Sequence, residues 1–257
     1  MPRSIATTRT ASGNRFLARN LTGCLGFNGT SSFVEFGVGN FIFERTDTFS
    51  CFAWVFIQSL GAGASGHIFG KRSNLGTTRG WQMRYDANLN KFVVVLSNDT
   101  AGGNVINVSS SKAIPIGTWV HLGFTYSGSS AASGITMYMN GVSMSNIVNN
   151  DTLSATIASI STPTFGSRNK LDQFFKGFIT ETVVTNSIMS STEITNLCYK
   201  GILPASLYAV YNFTEGSGTS LADSSGNSRT GTITSGTWAT SGPFAIRTAS
   251  VTRTQIS

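Results

Sequence analysis

The sequence predicts an all-β protein folded as an antiparallel sandwich of two sheets, and three observations support this fold class. Only 11% of the 257 residues are charged, which is too few to cover the exposed faces of long helices. Ser, Thr, Asn and Gly account for 114 residues, a composition typical of solvent-facing strands and turns. Apolar residues make up 40% of the chain and 18 residues are Phe, which favours a packed core over disorder.

Short apolar runs, several of them strictly alternating, predict the strands. These runs occupy residues 33–36, 49–57, 67–70, 105–108, 120–126, 164–166, 174–184 and 207–213. Alternating apolar residues at 81–85, a polar turn at 86–90 and a return run at 92–96 predict a hairpin. Asn140-Gly141 between two apolar runs predicts a second hairpin. About a dozen short strands are typical of a jelly roll.

One short helix is predicted near residues 190–200. Ser190 and Glu193 have the spacing of a capping box, and Gly201 occupies a position at which helices commonly end. The apolar stripe of this helix consists of Ile194, Leu197 and Cys198.

The positive charge of the chain is concentrated at its two ends. The net charge is +7, whereas residues 35–223 contain equal numbers of acidic and basic residues. The predicted docking residues lie in a basic arm, 1–21, and a C-terminal tail, 246–257, and are Arg3, Arg9, Arg15, Arg19, Arg247 and Arg253. Such ends would be attracted to an acidic surface, and solvated termini with stray arginines are the alternative. The arginines are widely spaced and no nucleic-acid module accompanies them, so nucleic acid is not expected as a partner.

No targeting or membrane-spanning segment is expected. The first residues lack the apolar stretch of a secretory signal peptide, and no run approaches 18 apolar residues. Cys24, Cys51 and Cys198 lie among apolar neighbours, without a CxxC motif or metal-ligand spacing. They are therefore predicted to be small buried hydrophobic residues.

Catalysis and cofactors are not expected. Glycoside hydrolysis needs two carboxyl groups about the scissile bond, and no two of the eleven acidic residues have strand spacing suited to that role. His67 and His121 have no nucleophile or metal-ligand context, so they are predicted to be ordinary sheet residues.

Calcium and sugar are the two ligands for which the sequence offers candidate residues. Asp86, Asn88 and Asn90 alternate in a turn and could form part of a calcium site, although a polar hairpin turn also explains them. The candidates for stacking on a sugar ring are Trp81, Tyr85 and Trp238. Core packing is the favoured alternative for Trp81 and for Trp119, because both begin strands in phase with apolar partners.

The order of these motifs resembles the laminin-G-like, concanavalin A-like jelly-roll domains. The resemblance covers residues 22–245, and its most recognisable part is Gly-Thr-Trp-Val-His-Leu at 117–122. The other matching stretches are 25–35, 49–57, 68–71, 80–81, 138–141, 175–181 and 191–197. The Glu-x-Asp-x-Glu strand of hydrolase relatives is absent from the sequence.

The segment 212–244 looks like one that commonly opens such domains, yet here it follows the other motifs. Either it returns beside residues 24–36 and completes the sandwich, or it pairs with a neighbouring chain. The first alternative is favoured because the termini of such sandwiches often lie close together. The second would produce an oligomer by strand exchange.

The resemblance implies a binding or structural role. A small member of the family with polar, basic ends resembles a virion component, which implies a capsid decoration, head-fibre or minor capsid protein located in the virion. Its expected partners are the major capsid protein, other virion subunits and further copies of itself. The alternative is a carbohydrate-binding module used for surface or host attachment, with glycans as ligands.

Overall fold

The computed structural model describes residues 23–58, 65–74, 78–98 and 103–239, which form two stacked antiparallel sheets. The strands are β1 (Cys24–Asn28), β2 (Phe33–Glu35), β3 (Phe49–Ile57), β4 (Ser65–Arg72), β5 (Gly80–Asp86), β6 (Lys91–Ser97), β7 (Val105–Ser110), β8 (Trp119–Tyr126), β9 (Ile135–Met139), β10 (Val142–Met144), β11 (Asn146–Asp151), β12 (Thr164–Phe165), β13 (Lys176–Thr185), β14 (Ala209–Tyr211), β15 (Ser220–Leu221), β16 (Gly231–Thr234) and β17 (Thr237–Ala239). A short 3-10 helix, Ala132–Gly134, precedes β9, and an α-helix, α1 (Ser191–Lys200), follows β13.

The two sheets have different strand orders. Sheet A runs β10-β9-β8-β3-β13-β1-β17, with β14 also paired to β13. Sheet B runs β11-β7-β6-β5-β4-β12-β2-β16-β15. All the strand pairs are antiparallel, so the predicted two-sheet sandwich with one α-helix is confirmed.

Aromatic side chains from both sheets fill the space between the sheets. Trp81 is 1% exposed, and its ring centroid lies 5.2 Å from that of Phe49 and 5.6 Å from that of Phe69. Its indole Nε1 donates a hydrogen bond to the carbonyl oxygen of Phe41 at 3.1 Å. The polar end of this large side chain is therefore satisfied inside the core.

Helix α1 begins and ends as its sequence predicts. The Ser190 hydroxyl accepts from the Glu193 backbone N–H at 3.3 Å, and the Glu193 carboxylate accepts from the Ser190 backbone N–H at 2.8 Å. Gly201 ends the helix in a left-handed conformation. The apolar stripe, including Ile194 and Leu197, packs with Phe52 against the outer face of sheet A. One end of that face is therefore covered by the helix.

The closing segment pairs within the chain. β16 pairs with β2, and β17 pairs with β1 at the edge of sheet A. The last pair joins Cys24 to Ala239, so the two ends of the described sandwich lie side by side. The arginines of the predicted arm and tail lie outside the described residues.

The three cysteines are buried and carry free thiols. Burial raises the pKa of the Cys24 thiol to about 11 and raises that of Cys51 further still, which suits unreactive core residues. Within the described ranges, no helix is both long and apolar enough to cross a membrane.

Candidate functional site

Two of the three predicted sugar-stacking residues lie in the core. Trp81 and Tyr85 are 1% and 2% exposed, and the Tyr85 hydroxyl donates to Asn90 Oδ1 at 2.8 Å. Neither ring presents a face to solvent, so a sugar could not stack on them. Core packing, the alternative explanation for Trp81, fits its position.

Trp238 and Trp119 lie nearer to solvent. The Trp238 ring is partly buried against the edge of the core, and its Nε1 donates to the Gly218 carbonyl oxygen at 2.8 Å. This hydrogen bond anchors β17, and part of the Trp238 ring remains exposed. Trp119 lies on the outer face of sheet A, not in the core as expected, because its neighbour Val120 takes the inward position.

The predicted calcium residues form a hairpin turn, and the side-chain oxygens of Asp86 and Asn90 already have protein partners. Asp86 Oδ2 accepts from Arg84 at 2.6 Å, and its Oδ1 accepts from the Leu89 backbone N–H at 3.2 Å. Asn90 Oδ1 accepts from Tyr85. No group of three or more His, Cys, Asp or Glu side chains suited to a metal occurs in the described part of the chain. Calcium binding thus gains no support here.

An aromatic patch that the sequence did not predict occupies the outer face of sheet A, beyond the region covered by α1. We use the term aromatic patch for Trp54, Phe56, Trp119 and Phe178. The Phe56 ring centroid lies 5.7 Å from that of Trp119 and 6.1 Å from that of Phe178. The run at 49–57 is apolar on both faces of the strand. The sequence therefore did not show that its alternate residues face outward and form this patch.

The outer face of sheet B carries a group of polar side chains on β4 and β5. Trp81, Met83 and Tyr85 of β5 point into the core, so Gln82 and Arg84 point outward. On β4, a bulge between His67 and Phe69 leaves His67 and Arg72 on this same outer face.

Two glycines bring β4 and β5 into close backbone contact on this face. Gly70 pairs with Gln82 across the strands, and Gly80 pairs with Arg72. A Cβ atom at Gly80 would lie 1.8 Å from the Lys71 carbonyl oxygen, and one at Gly70 would lie 2.5 Å from the Trp81 carbonyl oxygen. Backbone atoms therefore occupy the space beside both glycines, and neither position can carry a side chain. We use the name β4–β5 site for the polar group formed by Arg72, Gln82 and Arg84.

The Gln82 amide has one end bonded and one end without a partner. Burial lowers the pKa of His67 to about 4, so the ring is neutral at pH 7. The ring Nε2 lies 3.0 Å from the Thr164 carbonyl oxygen and the ring Nδ1 lies 3.3 Å from the Gln82 amide. The structure places Gln82 Oε1 beside Nδ1, and Gln82 Nε2, at the other end of this fully buried amide, has no hydrogen-bond partner among the described residues.

The three arginines near the β4–β5 site differ in their partners. Arg84 forms an ion pair with Asp86 at 2.6 Å, and Arg168 forms a two-pronged pair with Asp172. Among the described residues, Arg72 donates to Thr78, through Nε to the backbone oxygen at 3.2 Å and through Nη2 to the hydroxyl at 3.1 Å. No carboxylate in the described ranges forms an ion pair with Arg72.

A cleft of about 490 Å³ adjoins the end of β4 and the start of β5, close to the β4–β5 site. It is lined by Ser73, Arg79, Ala158, Ser159, Ile160, Ser161, Thr162 and Asn169. The buried Nε of Arg79 has no hydrogen-bond partner in the described structure. This end of sheet B therefore has a cleft and, in Arg79 Nε, a hydrogen-bond donor without a partner in the described structure.

The chain belongs to the concanavalin A-like lectin/glucanases superfamily. A laminin-G-type model of that superfamily matches residues 28–195, more than half of the chain. This match, together with the observed sandwich, confirms the family that the motif order resembled. Among curated proteins, none matches the chain in sequence.

Solved structures share the fold at low sequence identity. A candidate carbohydrate-binding protein from Bacteroides ovatus is 18% identical, with a TM-score of 0.59, over 85% of this chain and 59% of its own. A heptameric SAP-like pentraxin from Limulus polyphemus is 14% identical, with a TM-score of 0.52, over 84% of this chain and 96% of its own. Trypanosoma rangeli sialidase is 18% identical, with a TM-score of 0.44, over 61% of this chain and 23% of its own. The chain therefore spans little more than half of the Bacteroides protein.

Proposed function

We propose that this protein is a lectin-like module that binds a saccharide at the cleft beside the β4–β5 site without catalysing a reaction. The proposal depends chiefly on the lining of this cleft, which is rich in hydroxyl and amide side chains and includes Arg79, whose buried Nε has no partner in the described structure. Buried polar groups are nearly always hydrogen-bonded, and those without a partner need an explanation. A sugar hydroxyl explains this one, because its oxygen can accept a hydrogen bond from the Arg79 Nε–H.

The carboxylates favour binding over hydrolysis. A general acid needs a raised pKa, which burial or a neighbouring negative charge normally supplies. Near the β4–β5 site, Asp86 and Asp172 are each paired with an arginine. Hydrogen bonds lower the pKa of Asp223, against the effect of its burial. These carboxylates are therefore suited to remain negatively charged, and Asp86 and Asp172 hold arginines in place.

The decisive test is a glycan array probed with the wild-type chain, Arg79→Leu and Gln58→Leu. We expect Arg79→Leu to weaken binding at least tenfold, because a leucine cannot bond a sugar hydroxyl. Gln58 is exposed and lies outside the site, so Gln58→Leu should bind like the wild type. An array on which the wild type binds no glycan would overturn the function.

A variant of the aromatic patch distinguishes the two outer faces. Trp54→Ala should leave binding unchanged, since Trp54 belongs to sheet A and the cleft adjoins sheet B. Loss of binding in Trp54→Ala with full binding in Arg79→Leu would assign the saccharide to the aromatic patch and contradict binding at the cleft.

A virion structural role is a second candidate, favoured by the charge distribution. The arm and tail contain arginines and no acidic residue, which suits docking on an acidic shell or on sister subunits. Deleting residues 1–20 should then abolish incorporation into particles while the circular dichroism spectrum of the sandwich is retained. Normal incorporation of the shortened chain would contradict this role. Sedimentation of the purified chain would test the homo-oligomer expected with either function.

A further inference from the structure

Arg79 is the one charged side chain among the described residues that line the cleft. Its backbone is fixed, because its carbonyl oxygen accepts from the Ser73 N–H at 2.9 Å where the chain continues beyond β4 and before β5. Its side chain is partly exposed, and it forms no hydrogen bond or ion pair with another described residue. A cation with free donors therefore lies at the wall of a cleft of about 490 Å³.

Two further cations lie close to the cleft. The Lys71 ammonium group donates to the carbonyl oxygen of Ser161, a lining residue, at 2.9 Å, and Arg72 donates to Thr78, the residue before Arg79. Neither cation forms an ion pair with a carboxylate in the described parts of the chain. Burial is the main cause that lowers the pKa of Lys71 to about 8 and that of Arg72 to about 9, so both remain positively charged at pH 7.

The carboxylates nearest to the cleft do not balance these charges. Asp172 is paired with Arg168, and Glu35 is paired with Lys170. Glu44 accepts from backbone N–H groups beside the lining, and although burial acts to raise its pKa, these hydrogen bonds lower it. Three cations without an ion pair in the described structure thus lie near the cleft, against one such carboxylate. Because residues 35–223 are neutral overall, this positive charge is a local surplus.

The chemistry of this surplus favours a ligand with an oxyanion. A guanidinium can donate two parallel N–H bonds to two oxygens of one anion, and such charge-assisted bonds are stronger and more directional than neutral ones. A positively charged cleft also attracts anions from solution. The other polar lining residues, including Ser159 and Thr162, carry hydroxyl groups that suit the hydroxyls of a sugar ring.

We infer that the saccharide bound in the cleft carries an oxyanion, a carboxylate or a sulfate, that pairs with the guanidinium of Arg79. This inference rests on the proposed saccharide-binding function and specifies the ligand class of that same site. Lys71 and Arg72 do not line the cleft, so they act on the ligand through their positive potential and not by contact. The volume of the cleft lies within the range of about 300–1,000 Å³ that is usual for small-ligand sites.

Glycan sets that share one neutral backbone test the inference. A glycan array selects the sets that bind, and calorimetry then compares each neutral member with its uronic, sialylated or sulfated derivative. The wild type should bind the anionic member of at least one set tenfold or more tighter than the neutral member, and added salt should weaken that binding. Arg79→Gln keeps a hydrogen-bond donor but removes the charge, so it should abolish the preference. Lys112→Gln should keep it, because Lys112 is exposed and lies near the turn after β5, whereas the cleft adjoins the start of β5.

The outcomes separate this inference from the proposed function. Equal affinity for the neutral and anionic members would overturn the oxyanion inference and leave saccharide binding intact. Absence of binding to any glycan would overturn both. A preference for anions that Arg79→Gln retains would also overturn the inference, since another residue would then hold the charge. A preference for carboxylated members alone, or for sulfated members alone, supports it and identifies the anion. Circular dichroism of Arg79→Gln establishes that a loss of preference is not a loss of fold.

Discussion

Trp81→Ala should lower the free energy of unfolding by about 3–5 kcal/mol, which is a large part of the 5–15 kcal/mol typical of a domain. Trp81 is almost fully buried and packs against aromatic rings from both sheets. Its loss leaves a cavity, and the Phe41 carbonyl oxygen loses its hydrogen-bond donor. Urea denaturation followed by far-ultraviolet circular dichroism measures the change.

Trp238→Ala is the matched control for Trp81→Ala. The Trp238 ring is only partly buried, at the edge of the core, so its removal should cost clearly less than removal of Trp81. Similar denaturation midpoints for wild type and Trp81→Ala would contradict the core position and reopen a surface role for Trp81.

A chain that ends at Tyr211 should fail to fold. Truncation there removes β15, β16 and β17, so β2 loses one of its two pairing partners, β16, and β1 loses β17. It also removes Leu221 and Ile233 from the core and uncovers Val34. We expect no cooperative unfolding transition and a tendency to aggregate, because the newly exposed edges carry unpaired backbone groups.

A chain ending at residue 245 is the control for the truncation and should unfold cooperatively. Cooperative unfolding of the chain that ends at Tyr211 would show that the closing segment is dispensable. Size-exclusion chromatography of the longer chain tests strand exchange as well. An exchanged dimer would dissociate and lose its fold on dilution, whereas pairing within the chain is independent of concentration.

Local features of the fold were predictable because they depend on neighbouring residues. Asn140 and Gly141 both adopt positive φ, 51° and 75°, as the two central residues of a tight hairpin turn require. The capping box of α1 likewise needs only Ser190 and Glu193 in register. Such local signals do not depend on how the rest of the chain folds.

The candidate site could not be predicted because it depends on register between strands. The run at 49–57 is apolar on both faces, so its pattern does not distinguish the core face from the aromatic patch. The β4–β5 site requires the bulge after His67, which moves Arg72 to the outer face, and two glycines opposite polar residues. Neither the bulge nor the pairing of Gly70 with Gln82 is visible along the chain.

The pairing of Cys24 with Ala239 has a consequence for how the basic arm and tail would act. The chain leaves the sandwich at both ends from adjacent strands, where paired residues are only about 5 Å apart. If the arm and tail dock as proposed, their six arginines would act from one attachment area on the sandwich. Binding of one segment would hold the other at a high effective concentration, so two weak attachments would give strong avidity. Such a partner would need a single acidic area to hold the whole domain.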